Sequence, residues 1–188
     1  MIKGRTLITA PAEEPVTVAE VKAAAQIDHS DEDTLITGYI EAARQLAEAY
    51  TARQFVTATW DLFFDEFPGA QVQQLPLGQL QSVDSIKYYD ADGVQQTLAS
   101  SVYTVDSSRE PASYYLAYDQ SWPTIRAIRD TITVRITAGY GAASSVPEAI
   151  KTAIKAAIVA WLENPECAGA LPCGALNVLA AYQFDYRF

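Results

Sequence analysis

The chain has 188 residues, 49% of them hydrophobic, so it can bury a core of its own. Its 13 basic and 23 acidic side chains give a formal net charge of −10, and the basic residues are scattered. A nucleic-acid binder needs clustered cations to neutralise phosphates, so DNA-binding activity is not expected. No stretch approaches the roughly 20 apolar residues of a membrane span, and no export signal is recognised. The sequence therefore predicts a cytoplasmic product with no membrane partner.

Two helices are predicted near the N-terminus, after an extended arm over residues 1–15. Thr17 and Glu20 match the pattern of a capping box, which predicts a short helix to about Gln26. The polar, mostly acidic run S-D-E-D at residues 30–33 complements the dipole of a second, longer helix. Apolar residues continue at three- and four-residue steps, which predicts that this helix ends near Thr51.

Between residues 56 and 140 the apolar period changes from 3.6 to 2, which indicates short antiparallel strands. The alternation is clearest over residues 57–64 and 131–137. The sequence D-A-D-G at residues 90–93 predicts a tight hairpin loop. The glycines of G-Y-G at residues 139–141 are expected to supply positive φ angles at a turn.

The clearest helical pattern covers residues 145–165. Ser145 and Glu148 match a second capping box, and the proline at position 165 predicts the end of the helix. A short helix is predicted over residues 175–181. Four aromatic residues then alternate strictly: Tyr182, Phe184, Tyr186 and Phe188. They predict either a last strand over the protein's own core or an arm that docks on another subunit.

The order of these elements predicts the α+β class. We expect a helical bundle of two N-terminal and two C-terminal helices, over about residues 17–55 and 145–182. An antiparallel β region is inserted over about residues 56–140. The whole chain, residues 1–188, is expected to be a single domain that ends in a tail at residues 182–188.

The densest cluster of acid–base and ligand-type residues surrounds the only histidine, His29. An enzyme or metal interpretation would combine it with nearby carboxylates: Asp28, Asp31, Glu32 and Asp33. A charge cap on a helix explains residues 30–33 without any ion, and nothing near His29 supplies a nucleophile. Cys167 and Cys173 are expected to remain thiols. We therefore predict no catalytic, metal or cofactor site, and no enzyme.

An ordered set of short stretches carries a resemblance to a known family. The stretches are T-V-A-E-V-K at 17–22, D-H-S-D-E-D at 28–33, E-A-Y-T-A-R-Q at 48–54, L-Q-S-V-D-S-I-K-Y-Y-D at 80–90 and T-A-G-Y-G at 137–141. Together they resemble the gp6-like head–tail connector (adaptor, or head-completion) proteins of tailed bacteriophages, from residue 17 to about residue 182. One departure is Ala52, where such proteins more often have glycine, and here the alanine is expected only to extend the helix.

The resemblance implies a structural virion protein at the neck, assembled in the bacterial host cytoplasm. Such proteins form a ring, usually twelve-fold, beneath the portal vertex, and the ring lengthens the DNA channel. The implied partners are the portal protein, neighbouring copies, and the next neck, stopper or tail protein. DNA would pass through without specific binding, which suits a negatively charged chain. By analogy with the C-terminal segments of such adaptors, the expected docking residues are Leu176, Leu179, Tyr182, Phe184, Tyr186, Arg187 and Phe188.

Three alternatives remain at this stage. The first is a different neck or tail-completion protein, or the equivalent part of a gene transfer agent. The second, from another class, is a small hydrolase that uses His29 and its neighbouring carboxylates. The third is a nucleic-acid-binding module, which the scattered basic residues disfavour.

Overall fold

The computed structural model describes residues 3–69 and 71–183. Contacts within the chain divide the described residues into two compact units, each assembled from two separate segments. The sheet unit draws on Met1–Ala10 and Thr57–Gly139, and the helical unit on Pro11–Val56 and Tyr140–Phe188. Each unit has a hydrophobic core of its own. The chain mixes helices with antiparallel sheets, which confirms the α+β class.

The described residues of the helical unit form four α-helices, which are α1 (Val18–Ala25), α2 (Asp33–Thr51), α3 (Glu148–Glu163) and α4 (Cys173–Ala180). Short 3₁₀ turns at Ala143–Ser145 and Pro165–Cys167 flank α3. Apolar residues at three- and four-residue steps form a buried stripe along α3: Ile150, Ile154, Ala157, Ile158 and Trp161. Because α3 contacts each of the other three helices, this stripe is the centre of the unit's core.

One of the two predicted capping boxes forms. The Thr17 Oγ1 atom accepts the Glu20 N–H at 3.2 Å, and the Thr17 N–H donates to Glu20 Oε2 at 2.7 Å. The prediction at Ser145 is wrong, because Pro147 occupies the cap position and α3 starts one residue later, without a side-chain cap. Ser145 instead ends the preceding 3₁₀ turn, while Glu148 accepts a hydrogen bond from Lys151.

The end of α2 corrects the expectation for Ala52. The helix stops at Thr51 as predicted, but Ala52 does not extend it. Ala52 adopts the left-handed conformation, with φ 54° and ψ 31°, and its N–H donates to the Glu48 carbonyl. Glycine is the residue that tolerates this conformation without steric cost, so the alanine carries strain at the helix terminus.

Replacing Ala52 with glycine is expected to raise the free energy of unfolding by about 0.5–1 kcal/mol, because relief of left-handed strain exceeds the added entropy of the unfolded chain. Urea unfolding followed by circular dichroism measures the change. Ala49, exposed within the same helix, provides a control of opposite sign, since glycine there should destabilise by about 1 kcal/mol. A destabilised Ala52→Gly variant would contradict the assignment of strain.

Eight strands lie in the part of the sheet unit that the structure describes: β1 (Gly4–Thr9), β2 (Ala58–Phe64), β3 (Gln73–Gln74), β4 (Leu80–Tyr89), β5 (Gln95–Thr97), β6 (Tyr103–Asp106), β7 (Ser113–Leu116) and β8 (Ile132–Ala138). A five-stranded antiparallel sheet has the order β1-β2-β8-β4-β5, and a three-stranded one the order β3-β7-β6. The arm expected at the N-terminus is extended, and over β1 it pairs with β2 at the sheet edge.

The register of β2 against β8 separates the two faces of the larger sheet. Leu62 pairs with Val134 on the buried face, which packs in one core with Ile86 of β4 and Tyr114 of β7. One residue along, Asp61 pairs with Arg135 on the opposite face. Arg135 donates from Nε and Nη2 to the two Asp61 oxygens, both at 2.7 Å. The period-2 alternation in the sequence therefore corresponds to an apolar face and a polar face.

Two predicted turns are confirmed by their backbone angles. Gly93 closes the hairpin between β4 and β5 with a φ of 83°, and Asp90 Oδ1 accepts the N–H groups of Asp92 and Val94 at 3.1 and 2.9 Å. After β8, Gly141 has a φ of 124°, and a Cβ atom there would lie 3.3 Å from the Ser145 hydroxyl. Glycine is required at both turns because larger residues rarely adopt these angles.

Candidate docking segment

Helix α4 begins the predicted docking segment and is anchored on one side. Ala175 and Leu179 are buried in the core of the helical unit, where α4 packs against α3 and α2. Leu179 is fully buried, so its side chain holds the helix in place and offers no outer surface. Leu176 is half-buried and Val178 is exposed. The outward side of α4 therefore includes one of the two predicted leucines.

Tyr182 is held against the helical unit close to the end of the described chain. Its N–H donates to the Leu179 carbonyl at 2.9 Å, and its own carbonyl accepts the Arg53 Nε–H at 2.6 Å. The half-buried ring packs against the core. These contacts fix the position from which the last residues start. The other predicted docking residues lie outside the described part of the chain: Phe184, Tyr186, Arg187 and Phe188.

The acidic cluster around His29 does not assemble a reactive centre. The exposed His29 Nδ1 lies 3.9 Å from Asp31 Oδ2, a long and solvated pair. Asp33 lies in the first turn of α2 and accepts a hydrogen bond from Lys22 Nζ at 2.8 Å. Within residues 3–69 and 71–183, no group of three or more His, Cys, Asp or Glu side chains could hold a metal ion. The arrangement fits charges at a helix start.

The two cysteines are exposed free thiols. Cys167 ends the 3₁₀ turn after α3, and its Sγ accepts a hydrogen bond from Asn164 Nδ2 at 3.3 Å. Cys173 is the first residue of α4.

A buried ion network, which the sequence analysis did not identify, ties the N-terminal segment to α2. Arg44 donates from Nε to Glu14 Oε2 at 2.7 Å and from Nη1 to Glu48 Oε2 at 2.8 Å. The other Glu48 oxygen accepts the Phe55 N–H at 2.9 Å and the Gln54 amide at 2.7 Å. Burial raises the pKa of the Glu48 carboxyl, while the Phe55 N–H and Arg44 oppose that shift. In the sequence, only the four-residue spacing of Arg44 and Glu48 indicates this ion network.

A groove of about 520 Å³ opens beside α1 and the N-terminal half of α2. Its apolar floor includes Val16 and Ile40. The charged residues on its rim already have partners within the protein, since Glu13 accepts the Ala143 N–H at 2.7 Å and Glu20 completes the cap with Thr17. A ligand would have to displace these contacts, so the groove is not a prepared small-molecule site. No helix in the described part of the chain is long and apolar enough to cross a membrane.

Comparison with known proteins gives two kinds of match. A model of the family described as "Phage gp6-like head-tail connector protein" matches residues 15–116. Among solved structures, a chain in "Neck of empty GTA particle computed with C6 symmetry" is 20% identical, with a TM-score of 0.82 over 99% of this chain and 98% of that one. A chain in "Virion of native gene transfer agent (GTA) particle" gives the same values.

A chain in "Neck of native GTA particle computed with C12 symmetry" is 21% identical, with a TM-score of 0.73 over 97% of each chain. At these identities the likeness shows a shared fold over nearly the full length of both chains. A comparison with curated proteins finds no match.

Proposed function

Because this chain belongs to the family of phage gp6-like head–tail connector proteins, we propose that it is a structural protein of a virion neck. Copies of it form a ring beneath the portal vertex. This ring joins the DNA-filled head to the neck and tail and extends the DNA channel. The family match over residues 15–116 carries this proposal, since it includes α1, α2 and most of the sheet unit. The fold shared with chains from GTA necks supports it.

The ring is proposed to contain twelve copies, and the solved GTA necks to which the fold is similar were computed with C6 or C12 symmetry. Within each copy the four helices act as one bundle, and both units serve as a single adaptor domain. With a formal net charge of −10, the protein would let DNA slide past without sequence-specific contacts. Its remaining partners are the portal protein on one side and the next neck, stopper or tail protein on the other.

The C-terminal segment is proposed to dock on the portal. Arg53 and Leu179 hold the chain as far as Tyr182, so the segment starts from a defined place on the helical unit. Leu176, Tyr182 and the aromatic residues that follow supply large apolar side chains, and aromatic residues and arginine are the common anchors of protein interfaces. Leu179 positions this segment from within the core.

Removing residues 184–188 is expected to weaken binding to the portal at least tenfold, because three aromatic anchors and Arg187 are lost together. Co-sedimentation of the purified protein with its portal, followed by native mass spectrometry, measures both binding and ring formation. Tyr118→Ala is the matched control, since Tyr118 is an aromatic residue with 99% exposure in the sheet unit. It should bind the portal like the unaltered protein.

The outcomes separate the two parts of the proposal. If the truncated protein binds as tightly as the full chain, the docking segment is wrongly assigned and the neck function stands. If the full chain itself ignores the portal, the proposed function is wrong. A different neck position, or the corresponding position in a gene transfer agent, is the second candidate, which the shared fold with GTA neck chains favours. The particle from which the native protein is recovered decides that question.

A further inference from the structure

The five-stranded sheet has two open edges. Strands β1 and β5 are its outermost strands, and neither contributes a buried residue. Large apolar side chains are exposed at both edges: Leu7 at 42%, Ile8 at 44% and Val94 at 55%. An exposed strand edge presents unpaired backbone groups that can pair with another chain. The two edges together offer two different docking surfaces on each copy.

The two edge strands run in the same direction. The sheet has four neighbouring pairs, β1 with β2, β2 with β8, β8 with β4 and β4 with β5, and every pair is antiparallel. The strand direction reverses four times across the sheet from β1 to β5, so β5 is parallel to β1. The N-terminal ends of both strands therefore lie at the same end of the sheet.

Opposite charges lie at that end. Lys3 precedes β1 and Arg5 is its second residue, whereas Asp90 and Asp92 belong to the hairpin that leads into β5. Lys3 lies 3.4 Å from Asp65, so Arg5 carries the positive charge of the β1 edge. The Arg5 guanidinium lies 5.4 Å from the Trp60 ring and remains exposed. Asp90 binds the backbone of its own turn, which leaves Asp92 as the exposed carboxylate. The β1 edge is thus basic and the β5 edge acidic, although Arg126 lies against the hairpin at Gly93.

We propose that the β5 edge of one copy lies beside the β1 edge of the next copy, with the strands parallel and Asp92 facing Arg5. This inference rests on the proposed ring and identifies one of its subunit contacts. Two different, complementary surfaces on each copy make a heterologous contact, and such contacts generate rings when the rotation closes.

Self-pairing of either edge forms no such charge pair. Two identical edges that met about a two-fold axis would run antiparallel, so Arg5 of one copy would not face Asp92 of the other. Only the mixed contact places opposite charges at the same end of parallel strands. With β5 only three residues long, the shared ladder is short. Its main effect is therefore on the choice and alignment of the neighbouring copy.

A charge exchange tests the contact. We expect Arg5→Glu and Asp92→Arg, made singly, each to raise the protein concentration for half-maximal ring assembly on the portal at least tenfold at about 0.1 M salt. The double variant restores an opposite-charge pair at every interface and should assemble within about threefold of the unaltered protein. Arg109→Glu is the control, because its side chain is 83% exposed between β6 and β7 and the charge change equals that at Arg5.

Thermal unfolding of each variant shows whether it is folded, and restored assembly in the double variant independently excludes misfolding as the cause. If both single variants assemble like the unaltered protein, the edge contact is wrong while the proposed function stands. If the double variant is folded and remains defective, the pairing of these two residues is also wrong. If the unaltered protein forms no ring with the portal, the proposed function fails and the edge contact fails with it.

Discussion

Replacing Trp161 with alanine is expected to lower the free energy of unfolding by about 3–5 kcal/mol, the range for removing a buried aromatic side chain. Trp161 is almost fully buried at the C-terminal end of α3. Its ring meets Tyr39 of α2 edge-to-face, with centroids 5.4 Å apart. Its indole Nε1–H donates to the Ala170 carbonyl at 2.7 Å. One side chain thus joins α3, α2 and the loop before α4.

Trp161→Phe separates packing from hydrogen bonding. Phenylalanine keeps an aromatic ring near Tyr39 but cannot donate to Ala170, so it should cost less than alanine, about 2 kcal/mol. Glu163→Ala, at an exposed position in the last turn of α3, should change the free energy by less than about 0.5 kcal/mol. Chemical unfolding measures all three. Equal costs for alanine and phenylalanine would show that the hydrogen bond, rather than the packing, carries the stability.

Replacing Glu48 with alanine is expected to lower the free energy of unfolding by about 3 kcal/mol. The substitution removes the acceptor of the buried Phe55 N–H, and an unsatisfied buried donor costs about 1–3 kcal/mol. It also takes one of two carboxylates from Arg44, which keeps Glu14 and so avoids the full cost of an unpaired buried charge. Glu41→Ala on the exposed side of α2 is the control, with an expected change below about 0.5 kcal/mol.

The contribution of Glu48 to the free energy of unfolding should decrease as the pH rises. Because its pKa is raised in the folded protein, the native state binds more protons than the unfolded state above the ordinary glutamate pKa. Its contribution to stability is therefore fully present at acid pH and falls as the pH rises towards the raised pKa. From pH 4 upward, the difference in the free energy of unfolding between the unaltered protein and Glu48→Ala should become smaller. A widening difference would mean that Arg44 outweighs burial.

Local signals in the sequence predicted much of the fold. The apolar period of 3.6 and the acidic residues at its start predicted helix α2 and its end at Thr51. An amphipathic helix can be predicted in this way because it repeats its pattern over several turns. The D-A-D-G hairpin and the box at Thr17 were also predicted, since both depend on residues only a few positions apart.

The missed features depend on residues or backbone states that no local pattern fixes. Pairing of β1 with β2 joins residues that lie 50 to 59 positions apart in sequence, from Thr9 with Thr59 to Gly4 with Phe63, and the sequence of the arm gives no sign of its partner. The Arg44–Glu14 pair spans thirty positions. At Ser145 the cap motif was present, but Pro147 fixed the helix start. Among the candidate docking residues, the sequence of α4 did not show that Leu179 faces the core while Leu176 lies on the outer side of the helix.

The interleaving of the two units sets an order for folding during synthesis. Helices α1 and α2 leave the ribosome early, but their main partner α3 is not made until Glu148–Glu163. The sheet unit has all of its strands once Ile132–Ala138 has emerged, so its core can close first. Until α3 has been made, nothing covers the sides of α1 and α2 that pack against it. Exposed apolar surface of this kind is what chaperones bind. The two helices made first are thus buried only after the whole sheet unit has been made.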